Sequence, residues 1–83
     1  MSTIVFPIRV RRLTKNNREA VVVSLRECNG HRFFDLRVHA SPAQGDIPTP
    51  KGVTFDLKRL PALREAVELA EAEARRLDPE GGR

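Results

Sequence analysis

Eighty-three residues with a net charge of +4, one cysteine and neither tryptophan nor tyrosine bound the chain to a single small domain without an internal disulfide. Folding at this size removes only about 60% of the unfolded surface from water, so a lone core is marginal and self-association is the expected support. No apolar run approaches the roughly 20 residues of a membrane span and no segment has the form of a secretory leader, so a soluble, cytoplasmic protein without a membrane partner is expected.

The chain opens on an extended segment, Ile4 to Arg12. Pro7 lacks an N–H, which makes this an edge strand or delays the strand to Ile8. From Ile8 apolar and charged residues alternate, with Ile8 and Val10 on one side and Arg9 and Arg11 on the other. Lys15-Asn16-Asn17-Arg18 reads as a turn, and the β-branched run from Val21 to Glu27 as a second strand. Asn29-Gly30 is a strong hairpin signal, because both central residues of a type I′ turn need positive φ.

A two-residue loop at Asn29-Gly30 pairs Cys28 with His31 and fixes the register of everything beyond. Leu25 meets Phe34, Val23 meets Leu36 and Val21 meets Val38 on one face. Arg26 meets Phe33, Ser24 meets Asp35, Val22 meets Arg37 and Ala20 meets His39 on the other. One turn thus sorts two strands into an oily face and a mostly polar, basic face.

Ser41 to Pro50, with three prolines and a glycine, reads as a loop, and Gly52 to Phe55 as a short fourth strand. Asp56 is a helix N-cap candidate. Leu60, Leu63, Val67, Ala70, Ala74 and Leu77 then form one stripe of a helix ending near Leu77. Pro61 requires either an irregular first turn or a regular helix that starts beside it. Glu65, Glu68, Glu71 and Glu73, interleaved with arginines, read as a solvated helix surface.

These elements define an α+β fold: a four-stranded antiparallel curved sheet followed by a C-terminal helix, β-β-β-β-α, in one domain over residues 1–77, with a frayed tail over 78–83. The helix is expected to cover the oily face of the sheet, and a homodimer, the commonest assembly, to support the small core. Residues 1–60 hold eleven Lys/Arg against five Asp/Glu, while residues 61–83 hold four against six. A basic sheet face bearing Arg9, Arg11, Arg26 and Arg37, with no element left to cover it, suits a nucleic acid. The competing explanation is a solvated arginine surface paired with Glu19, Glu27 and Asp35, in which Asp35 orients Arg26 or Arg37.

The run Val22-Val23-Ser24-Leu25-Arg26-Glu27, the Asn29-Gly30 turn, Phe34-Asp35-Leu36-Arg37 and Pro48-Thr49-Pro50-Lys51-Gly52-Val53 resemble the core of the positive cofactor four family of transcriptional coactivators. The segment with Leu60, Leu63, Arg64 and Glu65 fits that family's helix, and the resemblance covers roughly residues 18–70. It implies a short, bacterial-type, homodimeric binder of single-stranded DNA, nucleoid-associated in a bacterium, with transcription or repair proteins as further partners. Duplex DNA and RNA remain alternative nucleic-acid ligands. On that resemblance helices and sheets pack across a two-fold axis, with Leu60, Leu63, Val67 and Ala70 in the dimer core. The family's strand basics fall on Arg26 and Arg37 and its loop lysine on Lys51.

Two positions depart from that pattern: Cys28 and Ala40 stand where the best-known members carry aromatics. Stacking on an aromatic is worth about 1–3 kcal/mol per base, and Phe33, His31 and His39, on the basic side of the register, are the candidates to replace it.

Cys28, His31 and His39 supply at most three ligands, too few for a closed zinc site, and no metal or other cofactor is expected. Cys28 and His31 have no orienting third group and no enclosed pocket, so the chain is not expected to be an enzyme. The expected function is therefore non-catalytic binding of single-stranded DNA on an open basic sheet face. The alternative is a protein-interaction module that turns the same face to an acidic partner. On the DNA-binding reading the charge reversal Arg37→Glu abolishes DNA binding without unfolding the dimer.

Overall fold

A computed structural model of the chain describes residues 4–40 and 45–78. Strands β1 (Ile8–Thr14), β2 (Glu19–Cys28), β3 (His31–Ala40) and β4 (Ile47–Asp56) form one antiparallel sheet in the order β1-β2-β3-β4. A single 3-10 turn, Leu57–Arg59, leads into the helix α1 (Leu60–Leu77). The expected order of elements and sheet topology are those found. Most of the segment expected as a tail, and residues 41–44 of the expected loop, lie outside the described residues.

The β2–β3 register is the one that the turn dictates, from Cys28 opposite His31 to Glu19 opposite Ala40. Asn29 and Gly30 take φ of 52° and 80°, the left-handed pair that a type I′ turn requires. At the other end of β2, Asn16 Oδ1 accepts from the Arg18 N–H, and the Lys15 and Asn16 amides donate to the Glu19 carbonyl. This closes the β1–β2 turn at the expected place.

Each edge strand carries an irregularity. In β1, Arg9 pairs with Ser24 but Arg11 pairs with Val23, so Val10 is an extra residue. In β4, Arg37 pairs with Gly52 while His39 pairs with Pro48, leaving Thr49, Pro50 and Lys51 opposite Val38 alone. β4 is therefore longer than expected and takes in Pro48 and Pro50. Both prolines are tolerated because β4 is an edge strand with no partner beyond it. Bulges bend the strand that carries them and increase its twist, and here both act on the edges of one sheet. The sheet curls toward its polar side, where Ala20, Val22, Ser24 and Asp35 are the buried residues. The side expected to be open thus encloses the small core of the single chain.

The oily side is the less covered one, which corrects the expectation that α1 lies across it. Its residues Val21, Val23, Leu25, Phe34, Leu36 and Val38 are only half-buried, and no residue of α1 is buried. Phe34 and Phe55, cross-strand neighbours with ring centroids 6.2 Å apart and planes tilted by 47°, hold β3 to β4 with on the order of 1 kcal/mol beyond burial. Facing Phe34, Leu60, Leu63 and Val67 line one wall of an open apolar groove. Farther along the helix Leu69 and Leu77 are exposed. The Cα radius of gyration is 15.4 Å, where a compact chain of this length would have roughly 12 Å.

The start of the helix resolves the question set by Pro61. The Asp56 side chain accepts from the Lys58 N–H and caps the 3-10 turn, and Pro61 sits in the first turn of α1, where its missing donor has no intrahelical use. On the outer surface Arg75 pairs with Glu71 and Arg76 with Glu73, as a solvated face should. Among the described residues no helix is long and apolar enough to cross a membrane.

Gly52 fits because it has no side chain: a Cβ there would run into the Leu36 carbonyl and stand 2.9 Å from Arg37 Cζ. The Gly52→Ala variant is expected to lose about 1–3 kcal/mol of stability, the usual cost of forcing atoms into a packed site. Thermal unfolding followed by circular dichroism measures it, and an unchanged transition would contradict this account of the β4 bulge.

Candidate nucleic-acid interface

The curled polar side of the sheet forms an open groove, with Arg26, Phe33, Asp35, Arg37, Pro48 and Thr54 among its walls. Asp35 forms part of its floor at 2% exposure. A buried carboxylate is costly unless paired and hydrogen-bonded, and Arg37 supplies the pair: Nη2 donates to Asp35 Oδ1 at 2.7 Å. That hydrogen bond raises the Arg37 pKa above its ordinary value, against a smaller opposing effect of burial. Of the two arginines that Asp35 was expected to orient, it is Arg37 that it holds.

Arg37 also binds the bulge of β4, where Nη1 donates to the Pro50 carbonyl at 3.0 Å. Thr49 Oγ1 donates to the Val38 carbonyl at 2.6 Å and accepts from the Lys51 N–H at 3.2 Å. A buried acid, an arginine and a threonine together fix the backbone from which the exposed Lys51 projects. Arg37 is therefore a positioning residue as well as a source of charge. The substitution Arg37→Glu would set a second carboxylate against the buried Asp35 and remove the donor to the Pro50 carbonyl, so it is expected to destabilise the fold as well as to weaken binding.

Arg26 is different. It is exposed at the rim of the groove, and among the described residues it makes no ion pair or side-chain hydrogen bond. Beside it, Phe33 and His31 present nearly parallel rings, centroids 6.2 Å apart and planes 17° from parallel. His39 shares their face but lies eight residues along β3, roughly 27 Å at the usual rise per residue. Its Nδ1 is buried and has no hydrogen-bond partner among the described residues, and its strand neighbours are Ala20 and Pro48. His31 and Phe33 thus come together at one end of the sheet, and His39 does not join them. Among the described residues no three His, Cys, Asp or Glu side chains form a group that could hold a metal ion.

The bulge at Val10 corrects the position of Arg11. Opposite Val23, it lies on the oily side, and Arg12, opposite Val22, takes the place on the polar side. Arg9, opposite Ser24, is on the polar side as expected. Arg9 and Arg12 both bind Asp46, the residue before β4: Arg9 Nη2 and Arg12 Nε donate to Asp46 Oδ2, each at 2.7 Å. That contact raises the Arg12 pKa, chiefly through the hydrogen bond. Sequence reasoning missed Arg12 and Asp46. The other acids named as competitors go elsewhere, Glu27 to Arg32 and Glu19 to Lys15. Among the described residues the sheet strands thus bring four guanidinium groups to this face (Arg9, Arg12, Arg26 and Arg37), of which Asp35 and Asp46 engage three and leave Arg26 unpaired.

No family model and no curated protein matches the chain. Among solved structures it is similar to BPSL1147, a PC4 homologue from Burkholderia pseudomallei. The tetragonal crystal form aligns with a TM-score of 0.71 at 20% identity, over 78% of this chain and 97% of that one. For the orthorhombic form the values are 0.73 and 21%, over 83% and 95%. At that identity the likeness is one of fold: four antiparallel strands and a C-terminal helix arranged as in a PC4 homologue, the fold that the resemblance in the sequence implied.

Proposed function

We propose that the chain is a non-catalytic, homodimeric protein that binds single-stranded DNA along the polar side of its sheet, with little sequence preference, in a role like that of a transcriptional coactivator. The observation that carries this reading is the unpaired Arg26 at the rim of an open groove, next to the parallel rings of Phe33 and His31. A guanidinium offers a bidentate seat for a phosphate, while an aromatic face takes any base. Arg26 and Lys51 contact the backbone, Phe33 and His31 stack, and Arg37 holds the β4 bulge while adding to the field. Such contacts position a strand without reading it. The likeness to a protein described as a PC4 homologue supports the same reading.

The uncovered apolar surface supports dimerisation. Val67 is 60% exposed on the stripe that carries Leu60, Leu63 and Ala70, and Phe34 and Leu36 are half-buried on the oily side of the sheet. Apolar area left uncovered at this scale marks an interaction surface, and a second copy of the chain brings the same stripe and the same sheet face. The two ligand surfaces of the sheet are then separate: strand on one side, partner subunit on the other.

Fluorescence anisotropy with labelled 20-nucleotide single-stranded DNA, duplex and RNA, titrated over salt, tests the first half. The expected result is preference for the single-stranded DNA, with log K falling about 0.7 per log salt for each phosphate contact. Arg26→Glu, which meets no buried acid, should weaken binding at least tenfold and leave the unfolding transition in place. Unaltered affinity would remove the groove from the interface, and no binding by the parent chain at low salt would turn the face over to an acidic protein partner. For the second half, light scattering of Val67→Asp should report monomer or unfolded chain where the parent is a dimer. A parent that is monomeric at micromolar concentration would contradict the dimer.

A further inference from the structure

Asp46 is 14% exposed, while the two arginines that it binds remain half in solvent, Arg9 at 52% and Arg12 at 40%. The anion is on the inside and the cations face out. Oδ2 accepts from both arginines and Oδ1 accepts from Arg12 Nη2 at 3.2 Å. A phosphodiester offers two oxygens of comparable spacing and the same charge, and arginine forks bind carboxylate and phosphate in the same way. We infer that Arg9 and Arg12 form a phosphate-binding pair on the edge strand, and that Asp46 occupies it in the free protein and gives way to a backbone phosphate. This rests on the proposed reading of the polar side as the nucleic-acid interface and adds its internal competitor.

Two features of the fold build the pair and bring the competitor to it. Three residues apart on a regular strand, Arg9 and Arg12 would point to opposite sides. The extra residue Val10 turns both to the polar side, opposite Ser24 and Val22. Asp46, next to the first residue of β4, belongs to the far edge of the sheet, about 14 Å from β1 if the sheet were flat. The contact therefore spans the polar side, and beneath it Ala20 and Val22 are buried. A carboxylate reaching across the face that a strand would follow is in direct competition with that strand.

The exchange is neutral in charge, one anion for another, so it lowers affinity and blunts the salt response without closing the rest of the groove. Neutralising Asp46 separates the two effects. Anisotropy with the 20-nucleotide single strand should show Asp46→Asn binding about five- to tenfold more tightly than the parent at low salt. Its log K against log salt should be steeper by about 0.7, the contribution of one phosphate contact on a single strand. In the Arg9→Gln/Arg12→Gln background that gain should vanish, and the double variant alone should bind more weakly than the parent with a shallower slope.

Equal or weaker binding by Asp46→Asn, with the parent binding, would overturn the competition and leave the interface standing. A gain that survives the loss of both arginines would assign it to net charge and overturn it as well. If neither the parent nor Asp46→Asn binds, the reading of the face falls and the competition with it. Should Asp46→Asn fail to fold, the arginine variant decides alone: affinity and slope equal to the parent's would show that the pair never meets phosphate.

Discussion

Side-chain parity, set at the two-residue Asn29-Gly30 turn, governs both surfaces of this molecule. With Cys28 opposite His31, each residue of β2 and β3 is assigned to a side, and a slip of one position would exchange the two sides throughout. The polar side then gathers Arg26, Phe33, Asp35 and Arg37, and the oily side gathers Leu25, Phe34, Leu36 and Val38. Groove, ion pairs and uncovered apolar surface all descend from that assignment. It is enforced locally by φ values that asparagine and glycine tolerate far better than most residues.

The edges modify what the turn begins. A regular four-stranded sheet of this length would be an open, gently twisted ribbon with an exposed arginine face. Extra residues at Val10 and at Thr49 to Lys51 bend β1 and β4 and curl the sheet toward its polar side. Curling brings Asp46 to Arg9 and Arg12 and buries Ala20 and Val22, while the β4 bulge gives Arg37 the Pro50 carbonyl. The four arginines expected on one open face, together with Arg12, thus fall into kinds: Arg37 held by a buried acid, Arg9 and Arg12 sharing a competitor, Arg26 unpaired among the described residues, and Arg11 on the opposite side.

The hairpin, the element order and the helix bounds were legible because each depends on neighbours a few residues away: the turn pair, the Asp56 cap, the helical stripe. The position of Arg11 was misread although a signal existed. Ile8 and Leu13, both apolar, are an odd number of residues apart, which puts them on one side only if an extra residue intervenes. The start of β4 was hidden by Pro48 and Pro50, whose missing N–H groups argue against a strand unless it is an edge. Asp46 had no local signature, since its partners lie across the sheet and 34 and 37 residues away. The uncovered helix was hidden for another reason: a stripe of apolar residues predicts that something buries it, not that the same chain does.

The central claim is that the polar side of the sheet, and not the oily side, receives the nucleic acid. The side-chain Nε–Hε signals of the arginines, followed by NMR as a short single strand is added to labelled protein, test it most directly. Adjacent residues of β1 point to opposite sides, so Arg11 is a control beside Arg12. The account predicts shifts at Arg26, Arg9 and Arg12, with Arg11 and Arg64 unmoved. Shifts at Arg11 and along α1, with Arg26 silent, would contradict it.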